Sequence, residues 1–185
     1  MRIIAGTYRG KKLVSAPENI TRPTSDRAKE GLFNVLDSWL LKTDKRWQEI
    51  VFVDVFAGSG AIGLEALSRG AKKVVFFEAD KTAQRFLKTN LQGVKGQTYL
   101  MTDALKPSYC TQPTDIIFMD PPYHQHLIEK VLPVFLKNGY IGSDTLLICE
   151  TDKTEQMVYP TDFCLIRTVN YGRNRFDFVR LKDTV

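Results

Sequence analysis

From residue 50 onward, apolar runs four to six residues long alternate with stretches in which apolar positions recur every third or fourth residue. The short runs are rich in β-branched and aromatic side chains, the mark of strands buried on both faces. The pattern predicts strands at Ile50-Val51-Phe52-Val53-Asp54-Val55, Val74-Val75-Phe76-Phe77-Glu78, Thr98-Tyr99-Leu100-Met101, residues 115–119 and Leu146-Leu147-Ile148-Cys149-Glu150. Helices are predicted between them. One ends near Ser68 and is closed by Arg69-Gly70, one runs from about Thr82 to Leu91, and one from His126 to about Asn138. Two final strands, Phe163 to Val169 and Phe176 to Leu181, are joined through Tyr171-Gly172-Arg173-Asn174. Such alternation implies a Rossmann-like α/β fold: a mainly parallel seven-stranded sheet with helices on both faces and an antiparallel edge.

Before residue 50 the texture changes. Residues 2–14 read as a short β-hairpin or extended arm, followed by a loop holding Pro17 and Pro23. A helix is predicted from about Ser25 to Leu41, with Ala28, Leu32, Phe33, Val35, Leu36, Trp39 and Leu40 along one side. Thr24 or Ser25 is its expected cap, and Asp26 and Glu30 lie near the positive end of its dipole. The expected organisation is a basic N-terminal arm and first helix, 1–47, packed on a main domain, 48–185, as one globular unit.

The charge distribution adds a partner to this picture. Residues 1–47 hold ten Lys/Arg against five Asp/Glu, whereas residues 48–185 hold sixteen of each. The net +5 therefore sits in the N-terminal quarter, where a polyanion can be gripped. Basic residues interleaved with Gly, Tyr and Thr in Thr7-Tyr8-Arg9-Gly10-Lys11-Lys12 favour nucleic acid over a merely solvated face. The remaining composition, 43% hydrophobic and 25% charged, is ordinary for a globular protein. No apolar run approaches the roughly 20 residues of a membrane span, and Met1-Arg2-Ile3-Ile4-Ala5-Gly6 has no signal-peptide layout, so a cytoplasmic location is expected. Cys110, Cys149 and Cys164 are an odd number without C-x-x-C spacing, read as reduced thiols with no zinc site. His124 and His126, two residues apart without a third ligand nearby, do not make a metal site.

The chemistry is concentrated at predicted strand ends. Asp120-Pro121-Pro122-Tyr123 follows the apolar run Ile116-Ile117-Phe118-Met119. Two prolines cannot continue a ladder, so the backbone must turn out at the strand's C-terminal edge, where open α/β sheets bind ligands. The turn presents a carboxylate, carbonyls and an aromatic ring together, a set suited to a planar ring bearing an amino group. Gly58-x-Gly60-x-x-Gly63 allows a tight strand-to-helix turn and close approach of a ligand to backbone. Glu78, twenty residues after Gly58, can accept both hydroxyls of an adenosine ribose. Asp54 would repel a pyrophosphate but attract the ammonium group of S-adenosylmethionine. Asp103, in Thr102-Asp103-Ala104, can accept a hydrogen bond from an adenine amino group. Each carboxylate also has a purely structural reading: Asp54 and Asp120 as turn or helix caps, Glu78 as an exposed strand end, Asp103 as an N-cap.

Together these residues resemble S-adenosylmethionine-dependent methyltransferases that act on exocyclic amino groups: Asp54-Val55-Phe56-Ala57-Gly58-Ser59-Gly60, Glu78, Asp103 and the Asp-Pro-Pro-Tyr turn occur in their order and spacing. More narrowly, the chain resembles the RsmD-type bacterial 16S rRNA (guanine-N2)-methyltransferases, which share the Arg-Ile-Ile-Ala-Gly arm, a segment here read as Arg22-Pro23-Thr24-Ser25-Asp26-Arg27, and Leu32-Phe33-Asn34. The resemblance implies a class I methyltransferase fold over nearly the whole chain and S-adenosyl-L-methionine as methyl donor, with no metal. It implies Asp54, Phe56, Ala57, Gly58, Gly60, Glu78, Asp103 and Ala104 at the donor, and Asp120, Pro121, Pro122 and Tyr123 at the target base. The expected partner is 16S rRNA within the small ribosomal subunit or an assembly intermediate, met by a monomer with no membrane association. Arg9, Lys11, Lys12, Arg22, Arg27, Lys29 and Arg173 are the expected RNA contacts, with Arg175 reaching substrate or solvated. Methylation of adenine in nucleic acid, or of a protein glutamine, is the alternative, since each offers an sp² amine. A nicotinamide-dependent oxidoreductase leaves Asp54 and the Asp-Pro-Pro-Tyr turn unexplained, and a non-catalytic RNA-binding module makes the whole motif set a coincidence.

Overall fold

The apolar runs assemble side by side. The computed structural model describes residues 1–15, 25–122, 125–155 and 157–182. Its strands are β1 (Val51–Val55), β2 (Lys73–Phe77), β3 (Gln97–Met101), β4 (Ile116–Met119), β5 (Leu146–Asp152), β6 (Phe163–Tyr171) and β7 (Asn174–Leu181). They lie in the order β3-β2-β1-β4-β5-β7-β6. β1 to β5 run parallel. β7 runs antiparallel to both β5 and β6, so the antiparallel pairing occupies the expected edge, with β6 outermost. The helices are α1 (Asp26–Lys42), α2 (Ala61–Arg69), α3 (Lys81–Leu91) and α4 (Leu127–Lys137).

Period-two alternation divides the strand side chains between two cores. On one face Phe52, Val74, Phe76, Ile116, Phe118 and Ile148 meet α1, α2 and α3 through Leu32, Leu36, Ile62, Leu64 and Leu87. On the other, Val53, Val55, Phe77, Ile117, Met119 and Leu147 meet α4 through Ile128, Val131, Leu132 and Phe135. Asp54 lies between Val53 and Val55 and so points to the α1–α2–α3 face.

The helix boundaries follow local chemistry. Ser25 Oγ accepts the Ala28 N–H at 3.1 Å to cap α1, and Asp80 accepts the Ala83 N–H at 2.7 Å to cap α3. Gly70, at φ +108°, closes α2 in the left-handed conformation. His126, expected inside α4, stands just outside it at φ +52°. A short 3-10 turn at Trp47–Glu49, not expected from the sequence, leads into β1. The expected loop at Pro17 and Pro23, with Thr24 as the alternative cap, lies outside the described residues.

The N-terminal arm is a hairpin held by one antiparallel bridge, Arg2 with Lys12, rather than by two strands. It is not a free arm. The Thr7 N–H donates to the Ser68 carbonyl at 2.8 Å, and the Ile4 and Ala5 N–H groups donate to Glu65 at 2.7 and 3.0 Å. Gly6 permits this approach: its φ is +77°, and a Cβ there would stand 1.8 Å from the Ser68 carbonyl oxygen. The hairpin is therefore laid on α2 backbone to backbone.

Candidate active site

The strand order reverses between β1 and β4, and the C-terminal ends of the parallel strands beside that point carry Asp54, Glu78, Asp103 and Asp120. This is where an open α/β sheet opens a crevice for ligands. Asp54 is 2% exposed, and its Oδ2 accepts the Gly63 N–H at 2.8 Å. Burial pushes its carboxyl up to about 8; the Gly63 N–H opposes this, while Glu78 and Glu150 add to it. Among the described residues, no Lys or Arg pairs with this buried carboxyl.

Glu78 braces the glycine turn. Its Oε2 accepts the Gly58 N–H at 2.7 Å and its Oε1 accepts the Asp80 N–H at 2.8 Å. Each oxygen keeps a second lone pair for a hydroxyl donor. The turn has positive φ at Phe56, Gly58 and Gly60, and the Gly60 N–H closes onto the Ala57 carbonyl at 2.7 Å. Its glycines do different work. A Cβ on Gly58 would meet nothing within 4 Å, so backbone there faces open space for a ligand. A Cβ on Gly60 would stand 2.3 Å from Leu87, and one on Gly63 would stand 2.3 Å from the Phe76 ring. Those two are helix–sheet packing positions.

Asp103 follows β3 but begins no helix; its Oδ1 accepts the Leu105 N–H at 2.8 Å in an Asx turn, with Ala104 buried beneath. Asp120 leaves β4 with its N–H directed at the Val55 carbonyl at 3.4 Å. Its carboxyl is pushed well above the usual range, first by burial and then by Glu150 and Asp54. Pro121 is buried and Pro122 exposed. Tyr123 and His124 lie outside the described residues. His126 is exposed and pairs with Glu129 at 3.0 Å.

The expected RNA contacts divide. Arg9, Lys12, Arg27 and Arg173 are exposed. Arg173 sits in the β6–β7 turn just past the Asp152–Asn174 pair, at the same sheet edge as Asp120. Arg27 lines a cavity of about 220 Å³ between the start of α1 and Asn170, Tyr171 and Gly172. Lys11 is half-buried, its ammonium donating to the Gln92 carbonyl at 2.7 Å. Lys29 is corrected outright. It is 1% exposed, 3.7 Å from Glu65, and donates to the Arg2 carbonyl, so it holds the arm from beneath and has no surface for a phosphate. Its amine is lowered from the usual lysine range by burial, against the pull of Glu65. Arg175 is likewise committed, with two 2.8 Å hydrogen bonds to buried Asp177. Arg22 lies outside the described residues.

Among the buried polar residues that sequence reasoning missed, Glu150, Glu65 and Asn90 bear on the site. Glu150 is 1% exposed at the end of β5, accepts from Asn174 Nδ2, and raises both Asp120 and Asp54. Glu65 is wholly buried in α2, and Asn90 is 1% exposed in α3. The available signal was polarity out of place: Glu65 is flanked by Leu64 and Ala66, and Asn90 falls on the buried side with Leu87.

The family described as Conserved hypothetical protein 95 matches residues 1–180. The chain belongs to this family, the RsmD-type methyltransferases. It is 38% identical to the ribosomal RNA small subunit methyltransferase D of Haemophilus influenzae over 93% of this chain and 89% of that one. The protein of the same name from Escherichia coli K12 is 36% identical over 82% of this chain and 75% of its own. A solved structure of a candidate methylase from Haemophilus influenzae superposes with TM-score 0.77 at 34% identity, covering 98% of each chain. The expected fold is thus the fold of this RsmD-family chain.

Proposed function

We propose that this RsmD-family chain transfers a methyl group from S-adenosyl-L-methionine to the exocyclic 2-amino group of a guanine in 16S ribosomal RNA. The observation that carries the reading is the row of carboxylates Asp54, Glu78, Asp103 and Asp120 along the C-terminal ends of β1 to β4, beside backbone left open at Gly58. The donor set fits. Glu78 suits a ribose diol, Asp103 and Ala104 an adenine edge, and Asp54, with Phe56, Ala57 and Gly60 shaping the turn, an ammonium group. When bound, the donor supplies an electrophilic methyl on a sulfonium. The rest of the chemistry belongs to the chain's own residues.

An exocyclic amine is a poor nucleophile because its lone pair is delocalised into the ring. Asp120 and the Pro121 carbonyl accept its two N–H groups and turn the lone pair out of the ring plane. Pro122 stiffens the turn, and Tyr123 stacks on the base, a contact worth about 1–3 kcal/mol. Positioning of this kind can supply roughly 7–11 kcal/mol of a barrier. The methylated amine is cationic and releases its proton to solvent after transfer, so Asp120 need not act as a base. A paired or stacked guanine has first to be flipped out, at a cost of a few kcal/mol. On this reading residues 1–47 form the RNA-gripping layer, with Arg9, Lys12, Arg22 and Arg27 as its phosphate contacts, and residues 48–185 form the donor-binding catalytic unit, from which Arg173 adds a further contact. The protein acts as a cytoplasmic monomer, without a metal, on the small subunit or an assembly intermediate.

The test incubates the protein with tritiated S-adenosylmethionine and small ribosomal subunits from a strain lacking this gene, then identifies the labelled nucleoside. Label in 2-methylguanosine is expected. Label in 6-methyladenosine would keep the mechanism and overturn the substrate, and failure to bind the donor would overturn the whole reading.

A further inference from the structure

The α3 helix joins the two halves of the candidate site. It starts directly after Glu78: Asp80 is its cap, and Gln84 Nε2 donates to the Glu78 carbonyl at 2.7 Å. At its other end it cradles the N-terminal hairpin. Lys11 reaches the Gln92 carbonyl, and the Lys95 N–H donates to the Tyr8 hydroxyl at 2.6 Å. Between these contacts stands Asn90, 1% exposed. Its Oδ1 accepts the Val14 N–H at 2.8 Å, and its Nδ2 donates to the Val14 carbonyl at 2.8 Å and to the Ser59 carbonyl at 2.9 Å. Ser59 is the middle residue of the Gly58–Gly60 turn. A single buried amide therefore spends both N–H groups and its oxygen on two segments far apart in sequence, one in the basic arm and one in the glycine turn. A second link runs parallel to it, from Ser59 Oγ to Met1 Sδ at 3.6 Å.

We propose that Asn90 is a positioning residue that makes RNA held on the N-terminal hairpin and donor held over the glycine turn favour one another. This rests on the donor and RNA reading above. The physical basis is that a buried amide left with an unpaired N–H or oxygen is disfavoured, because no water replaces the lost partner. If the hairpin shifts away, the Val14 partners are lost and Nδ2 keeps only Ser59; if the turn rearranges, the converse holds. Each segment is therefore most stably ordered when the other is in place. Ligands that order either one each lower the cost of ordering the other, and the coupling is reciprocal.

The test measures binding of S-adenosylhomocysteine, which cannot turn over, by calorimetry with and without saturating 16S rRNA. In the wild-type protein RNA is expected to tighten binding by about 5-fold or more, the lower end of typical coupling factors. In Asn90→Ala that factor is expected to fall towards one while the variant still binds each ligand. An unchanged factor in the variant, or none in the wild type, would overturn the proposal. A wild-type protein that binds neither ligand would instead overturn the underlying reading. Hydrogen exchange in the wild-type protein needs no variant to fold. S-adenosylhomocysteine is expected to slow exchange of the Val14 amide, and an unchanged rate there would also overturn the coupling.

Discussion

At the scale of single residues, the carboxylates at the sheet edge are tuned by what surrounds them. Asp54 is raised from 3.8 to about 8, chiefly by burial. Between those values the folded protein holds a proton that the unfolded chain has lost, so this group's contribution to stability is full below about pH 4 and fades up to about pH 8. Asp54→Asn, which mimics the neutral acid, is expected to raise the melting temperature more at pH 8 than at pH 5, as scanning calorimetry across that range would record. On the proposed reading, the same proton leaves when the cationic donor binds beside Asp54. Donor affinity is therefore expected to rise up to about tenfold per pH unit below pH 8, and to lose that slope in Asp54→Asn. Glu78→Gln, which weakens two backbone bonds at the glycine turn and, on the proposed reading, alters the acceptor for the ribose, is expected to lower donor affinity about 10- to 100-fold by calorimetry.

At the scale of elements, what could be read in advance was what local chemistry decides. The strands were legible because both faces of this sheet are covered, which leaves continuous apolar runs such as Ile116–Met119. Gly70 and Asp80 marked helix ends through φ and capping, which need only near neighbours. The partners of Lys29, Glu65 and Asn90 were not legible, because they lie far along the chain: Glu65 bonds Ile4 and Ala5, and Asn90 bonds Val14 and Ser59. A basic residue in a basic segment looks like a phosphate contact until the fold places it under the hairpin. The role of Gly63 was only partly legible. The spacing predicted a turn, whereas the contact is with the Phe76 ring on the neighbouring strand. Gly63→Ala is therefore expected to cost about 1–3 kcal/mol from overpacking, read as a lower urea midpoint. Asp103 illustrates the converse: its carboxylate caps a turn with Leu105, not a helix.

At the scale of the whole molecule, the hairpin, α2 and α3 fasten the basic quarter of the chain to the edge where the carboxylates converge. The exposed charges Arg9 and Lys12 then sit on a fixed platform. Replacing either by Ala is expected to weaken rRNA binding whatever its sequence, and to reduce the slope of log affinity against log salt by about one per lost phosphate contact. A salt titration by filter binding would read both. All of this converges on the turn at Asp120, which is asked to hold an amine in line with a methyl donor. Single-turnover methyl transfer to undermethylated small subunits, by wild-type protein and Asp120→Ala at saturating donor, addresses that directly. The variant is expected to bind S-adenosylhomocysteine as the wild type does, yet to transfer at least about 100-fold more slowly. Transfer at the wild-type rate would mean that the Asp120 carboxylate does not orient the amine, and the mechanism built on it would fall.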